Sequence, residues 1–418
     1  MIERFFSYFC AIPTSPCLDM NILIVSNFFT PNNCIASFRI EAFAKYFREA
    51  GHSVTVVTEG DRDESMVWNG CRVYYVEDRV LSESKLKSLR LRRKKWTVRH
   101  VVYALQERLT LDPKFLWRFR AYRKVKELIG NERFDILLSS YGHLSPHMIA
   151  YRLRREMPEL YWIADMRDEM SKNLFFPSWG MARRIRPYER KILRTADLVL
   201  SVSEPLVRDF RRLGGHDRVL EITNGYDYEE VHDVSFQPVY TMAFIGRFYG
   251  AIDPCHWFEA FSGLVAAGDI PPDSRIDIIG NFKKLSIPEN IRANVFQTAE
   301  VDHAEAIRRA LEADTLVLVH PKGRQGVYTG KVFDYLATNK PILALCDSND
   351  VIAKLLEETG AGFVADEADV EAIKKMVLRC YSIWKNQEVL PRNWDRIRHY
   401  TRKKQVQNLL DYLSRQKL

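Results

Sequence analysis

Thr315-Leu-Val-Leu-Val-His-Pro-Lys-Gly-Arg-Gln-Gly-Val-Tyr-Thr-Gly-Lys-Val-Phe-Asp-Tyr-Leu-Ala337 joins a short, apolar, β-branched run to a glycine-containing turn and then to a helical pattern. A strand feeding a helix in this way is half of a parallel βαβ unit. Thr329 stands where a helix N-cap is expected, so the amides of Gly330 and Lys331 can face an anion, and the Lys331 ammonium adds charge at the same place. Asp334 follows one turn later, where a carboxylate can accept hydrogen bonds from ribose hydroxyls. The competing reading is a plain i,i+3 surface pair between Lys331 and Asp334.

The same rhythm extends in both directions. Strands are expected at 21–26, 53–58, 135–140, 161–166, 198–203 and 219–224, then at 241–246, 275–280, 315–320 and 341–346, with longer helical patterns between them. Residues 229–238 lack a sustained apolar period and read as a linker. The organisation expected is a 1–19 extension, a first domain over 20–228, the linker, a second domain over 239–397, and a C-terminal helix over 398–418. Val406, Leu409, Leu410 and Leu413 line one side of that helix, which needs a surface to cover. The fold class is α/β, with two facing Rossmann-like doubly wound domains and a cleft between them.

Composition bounds the function. Of 418 residues, 46% are hydrophobic and 28% charged, a globular balance that excludes disordered, collagen-like and mucin-like chains. Seven scattered cysteines with no CxxC spacing indicate neither a disulfide framework nor a zinc knuckle, which fits a reducing, cytoplasmic setting. No run approaches the roughly 18 apolar residues of a membrane span. Lys and Arg number 62 against 54 acidic residues, and the excess is concentrated between Lys85 and Arg133. Lys85–Lys95, beside Trp96, alternates basic and apolar residues, and Lys114–Lys124 repeats the composition. Either this is a solvated helix face, or it meets anionic lipid at the inner face of the cytoplasmic membrane. No motif for nucleic acid accompanies the charge, and none is expected as a partner.

Ligands of doubly wound sheets bind beyond the carboxyl ends of the strands. The turn after the first strand, Asn27–Arg39, contains no glycine, which excludes a GxGxxG dinucleotide fingerprint and moves phosphate binding to the second domain. There Gly246-Arg247 follows a strand, pairing a small residue with a cation, and Arg247 is a candidate diphosphate ligand. Tyr328, Thr329, Gly330, Lys331 and Asp334 complete the donor side. In the first domain Asp165-Met-Arg-Asp168 closes a strand, so Asp165, Arg167 and Asp168 are expected to project into the cleft. Asp165 and Asp168 are candidate bases. His143 and His147 flank the preceding turn; His143 is a candidate acceptor ligand, against the reading that each is an ordinary structural histidine. Asp61-Arg-Asp63 matches a metal-binding DxD literally, but its polar, acidic loop reads as solvated turn.

Residues 20–418 resemble the retaining glycosyltransferases of the GT-B fold, of the family 4 type. The resemblance is carried, in order, by Asn21–Asn27 with Glu49–Thr58, Tyr161–Asp168, Leu193–Glu204 with Ile222–Asp227, Ile245–Tyr249 and Gly330–Pro341. It implies a nucleotide-diphosphate sugar against the second domain, with Arg247 and Lys331 at the diphosphate, Asp334 at the ribose, and no metal or other cofactor. It further implies transfer to a saccharide or lipid-linked acceptor with retention of configuration, in surface polysaccharide assembly, and a last helix crossing back to the first domain. Many members carry two glutamates eight positions apart; here the second is Asp334 and the first falls on Gly326, with Gln325 beside it. Related sequences often place a histidine where Arg167 stands. Two other readings stay open: a sugar-nucleotide epimerase on the same scaffold, and a non-catalytic partner with an enzyme's shape.

Overall fold

The computed structural model describes residues 19–82, 98–172, 179–250, 252–280, 284–321 and 326–416. The 1–18 segment, the Lys85–Lys95 run and Gln325 lie outside the described residues.

The first sheet contains β1 (Asn21–Val25), β2 (Ser53–Gly60), β3 (Glu64–Trp68), β4 (Cys71–Glu77), β5 (Ile136–Ser140), β6 (Tyr161–Arg167), β7 (Leu198–Ser201) and β8 (Val219–Glu221). Their order is β3-β4-β2-β1-β5-β6-β7-β8, parallel throughout except for the β3–β4 hairpin. The second contains β9 (Thr241–Ile245), β10 (Arg275–Ile279), β11 (Val295–Thr298), β12 (Thr315–Val319), β13 (Ile342–Leu345) and β14 (Gly362–Ala365), all parallel, in the order β11-β10-β9-β12-β13-β14. This is the α/β architecture of two Rossmann-like domains.

The two-residue alternation of a strand explains why both faces are covered. In β1, Leu23 and Val25 enter a core shared with helices 115–131 and 144–156, while Ile22 and Ile24 enter a second core beneath helix 35–49. Val406, Leu409, Leu410 and Leu413 of the Arg402–Arg415 helix are buried in that second core, so the chain's last helix crosses back to the first domain. Thr401 caps it by accepting Lys404 N–H, and the crossing is pinned where Arg402 N–H donates to the Tyr226 carbonyl (2.9 Å) and Tyr226 N–H to the Tyr400 carbonyl (3.1 Å). Residues 229–238 are held to the second domain by Val231 N–H to Ala337 O (2.9 Å) and by Gln237 N–H to Asp314 (2.9 Å).

One sequence reading is corrected here and another is given its contacts. Lys114 does not belong to a basic surface: it is fully buried and binds Glu59 (2.9 Å), Asp78 (3.1 Å) and the Leu81 carbonyl (2.7 Å), tying the start of helix 115–131 to the first sheet. Asp63 of the DxD match accepts Glu77 N–H (2.8 Å) and pairs with Arg120, which makes it a structural turn residue. Among the described residues no group of three His, Cys, Asp or Glu is placed to hold a metal ion. None of the described helices is long and apolar enough to cross a membrane.

Candidate active site

The sheets reverse direction of growth between β1 and β5 and between β9 and β12, and the chain leaving β1, β9 and β12 meets across the domain boundary. A cavity of about 230 Å³ lies there. Its second-domain wall includes Gly246, Lys331 and Asp334; its first-domain wall includes Ile35, Phe38 and Arg39.

Gly246 ends β9 at φ +134°, a conformation that side chains disfavour, and a Cβ there would fall on Lys331 Nζ. The glycine therefore makes room for the lysine. The Lys331 ammonium lies 4.1 Å from the centre of the Phe244 ring, and among the described residues no carboxylate pairs with it. Burial pushes its pKa down to about 7. The i,i+3 pair with Asp334 does not form, because Asp334 turns to His303 (Oδ2 to Nε2, 3.1 Å) and leaves Oδ1 buried without a partner.

Arg247 does not itself line the cavity: it follows Gly246, is half exposed, and is held by an ion pair with Glu300, which does line it. Gly330 lines the cavity, and a Cβ there would strike the Ile35 side chain across the domain boundary. Tyr328 and Thr329 lie outside the cavity lining. Tyr328 packs on Phe333 (5.2 Å) in the second-domain core. Thr329 takes the N-cap backbone conformation, but its hydroxyl makes no capping bond and is buried without a partner.

Gly326 clarifies the departure from the two-glutamate pattern. It has φ +83°, a Cβ would press on Pro205, its N–H is donated to Asp350 (2.8 Å), and its carbonyl accepts from Ser203 Oγ. A side chain is thus strained at this position, and the loop is fixed by backbone contacts instead.

On the first domain the expectation for Asp165 is corrected. Its side chain does not project into the cleft; it is fully buried and receives Arg39 Nη2 (2.8 Å), Arg39 Nε (3.1 Å) and Ser140 Oγ (2.8 Å). Pleating sends it under helix 35–49, where it neutralises Arg39, so its oxygens are committed to structure rather than to accepting a proton. Arg39 in turn lines the cavity and donates to the Thr223 carbonyl (3.0 Å). A bulge between Asp165 and Arg167 leaves Arg167 at φ +56°, a strained left-handed residue. Arg167 pairs with Asp168 at 3.4 Å and keeps Nη1 buried without a partner; neither residue lines the cavity.

His143 holds the N-cap position of helix 144–156 and stacks on Phe28 (5.8 Å), also outside the cavity lining. His147 is a core histidine: fully buried, bound to Ser139 Oγ (2.7 Å), and pushed by burial down to about 4.

Sequence reasoning missed Arg39, His303 and Phe38. His303 opens the helix 303–311 behind the N-cap Asp302, and its ring meets Phe38 of the other domain at 5.0 Å. Asp302 as a cap was a legible signal for a helix start; the partnership with Asp334 was not.

Residues 36–225 match the family described as glycosyl transferase 4-like domain. The first domain is of that type, and the chain as a whole has the GT-B fold of two Rossmann-like domains. Its fold is similar to sucrose-phosphate synthase from Thermosynechococcus elongatus (TM-score 0.67, 12% identity, 95% of this chain and 98% of that one). It is also similar to an α,α-trehalose-phosphate synthase (UDP-forming) from Burkholderia xenovorans (0.62, 10%, 94% and 100%). A glycosyltransferase involved in lipopolysaccharide biosynthesis gives 0.56 at 13% identity, over 94% and 99%. No curated protein matches by sequence.

Proposed function

We propose that this chain is a glycosyltransferase that takes its sugar from a nucleotide-diphosphate donor bound against the second domain, and passes it to a saccharide or lipid-linked acceptor with retention of configuration. The observation that carries the reading is Lys331: a lysine at a domain-boundary cavity, without an ion-pair partner among the described residues, made room for by Gly246. An unpaired ammonium in a poorly solvated place is costly, and a diphosphate would supply the missing charge.

Negative charge accumulates on the departing diphosphate as the glycosidic bond breaks. Fixed cations stabilise it most where water is scarce. Lys331 would meet it inside the cavity and Arg247 from next to Gly246, with Glu300 holding the guanidinium in place until then. Two cations can do this without a metal, which is the mode proposed. Asp334, with one oxygen on His303 and one unpartnered, is suited to a ribose hydroxyl. Arg167 and Asp168, at the strained end of β6, remain the proposed acceptor-side groups, with Asp168 the proposed base. Surface polysaccharide assembly is the proposed setting.

The test is a panel of nucleotide-diphosphate sugars incubated with the protein and mixed saccharide acceptors, with and without chelator, following nucleoside diphosphate release. Acceptor-dependent release that survives chelation supports the proposal. Conversion of the sugar without acceptor would point to an epimerase, and binding without turnover to a non-catalytic protein.

A further inference from the structure

The first domain carries an apolar stripe that the described residues leave exposed. At 100° per residue, Val98, Val101, Leu105 and Leu109 fall within about 80° of one another on the Val98–Thr110 helix. They are 80%, 49%, 49% and 69% exposed. Folded chains rarely leave four large aliphatic side chains aligned in water without a use for them. Leu116 N–H donates to Gln106 Oε1 (2.9 Å), which ties the start of the next helix to this one, and that helix exposes Leu116 and Phe119 in turn.

The surroundings are cationic. Arg184 reaches from helix 179–195 to the carbonyls of Arg108 and Leu109 (both 2.8 Å), which places that helix at the end of the stripe. Helix 179–195 contains six basic residues, with Arg183 and Arg186 exposed, and a single acid, Glu189, which is buried. Beyond Phe119 lies a groove lined by Arg118, Arg152 and Arg155 with Tyr122 and Tyr151 between them. The acid of the groove, Glu156, is engaged by Arg152 and Tyr122.

We infer that this face docks on an anionic lipid bilayer, with the aliphatic stripe entering the interface and the arginines meeting the headgroups. Aliphatic residues flanked by cations match a surface that is apolar within and negative at its rim; a protein partner for the same stripe would need no such excess of one sign. The inference rests on the outer surface of the first domain and stands whether or not the donor reading holds.

The full chain is sedimented with vesicles of phosphatidylcholine alone and of phosphatidylcholine with phosphatidylglycerol, over a range of salt. Binding is expected only to the anionic vesicles and weakens as salt rises. Arg183→Gln with Arg186→Gln should lower the partition coefficient about fivefold per charge. Leu105→Ser with Leu109→Ser should lower it by more than about tenfold, since each leucine contributes several buried carbons. Unchanged melting temperature in both variants shows that the fold is intact. Equal binding to neutral vesicles, no binding to either, or self-association through the stripe without vesicle binding would each overturn the inference.

Discussion

The Lys331 amine occupies the space that a Cβ on Gly246 would fill. Two residues 85 positions apart in the chain are thereby made interdependent, one chosen for its absence of side chain and the other for its length and charge. Gly246→Ala imposes both a collision and a disfavoured φ, and should cost about 1–3 kcal/mol of stability while displacing Lys331. Nucleoside diphosphate titrations followed by thermal shift check this: the variant should melt earlier and lose the ligand response. A variant that keeps the full response would show that the glycine is only a turn residue.

Lys331 without a ligand should destabilise the fold. Its pKa is about 7 in the folded chain against 10.5 ordinarily, so the penalty is complete below pH 7 and is relieved as pH rises from 7 towards 10.5. Lys331→Met should therefore melt higher than the parent at pH 6–7, by roughly 2–4 °C if the gain is about 1 kcal/mol. The difference should shrink at pH 9. Calorimetric scans of both proteins at three pH values provide the comparison.

Arg39 and Asp165 form a buried pair whose members should fail separately. Asp165→Asn leaves the Arg39 guanidinium uncompensated and should cost about 3–5 kcal/mol, whereas Arg39→Met combined with Asp165→Leu should recover part of the loss. Denaturant melts measure both. An Asp165→Asn protein of undiminished stability and abolished turnover would instead restore Asp165 as a base.

His147 contributes an acid sensitivity that has nothing to do with the site. Its folded pKa of about 4 lies below the usual 6.5, so its contribution is intact above pH 6.5 and is lost as pH falls from 6.5 to 4. His147→Gln should flatten the stability profile in that interval, by up to about 3 kcal/mol at its acid end. Urea midpoints at pH 4.5 and 7 in both proteins would reveal it.

How much was legible in the sequence follows from how local each signal is. Gly246, Lys331 and Asp334 could be found because a strand end and a helix start are written in consecutive residues. Most parallel core strands were legible as β-branched runs, but β4 was not read although it pairs in parallel with β2, and the exposed β3, the edge strand β11 and the short β14 were missed because little apolar periodicity marks them. Asp165 was misplaced because the rule about strand ends fixes the backbone, while the pleat and the bulge before Arg167 decide where side chains go. Arg39 pairs with a residue 126 positions away and His303 with one 31 positions away. Partnerships of that kind are made by topology, and no spacing in a single sequence announces them. Lys114 teaches the same lesson in reverse: a lysine inside a basic run looks solvated until the fold wraps Glu59 and Asp78 around it.

The most direct test of the account is proton uptake on nucleoside diphosphate binding. Titration calorimetry at pH 8, repeated in buffers of different ionisation enthalpy, reads the protons taken up per diphosphate bound. Lys331 is largely neutral at that pH and must be charged beside a diphosphate, so uptake approaching one proton is expected for the parent and none for Lys331→Met, which should also bind far more weakly. Tight binding with no proton uptake, or binding unaffected by the substitution, would contradict the placement of the diphosphate at Lys331.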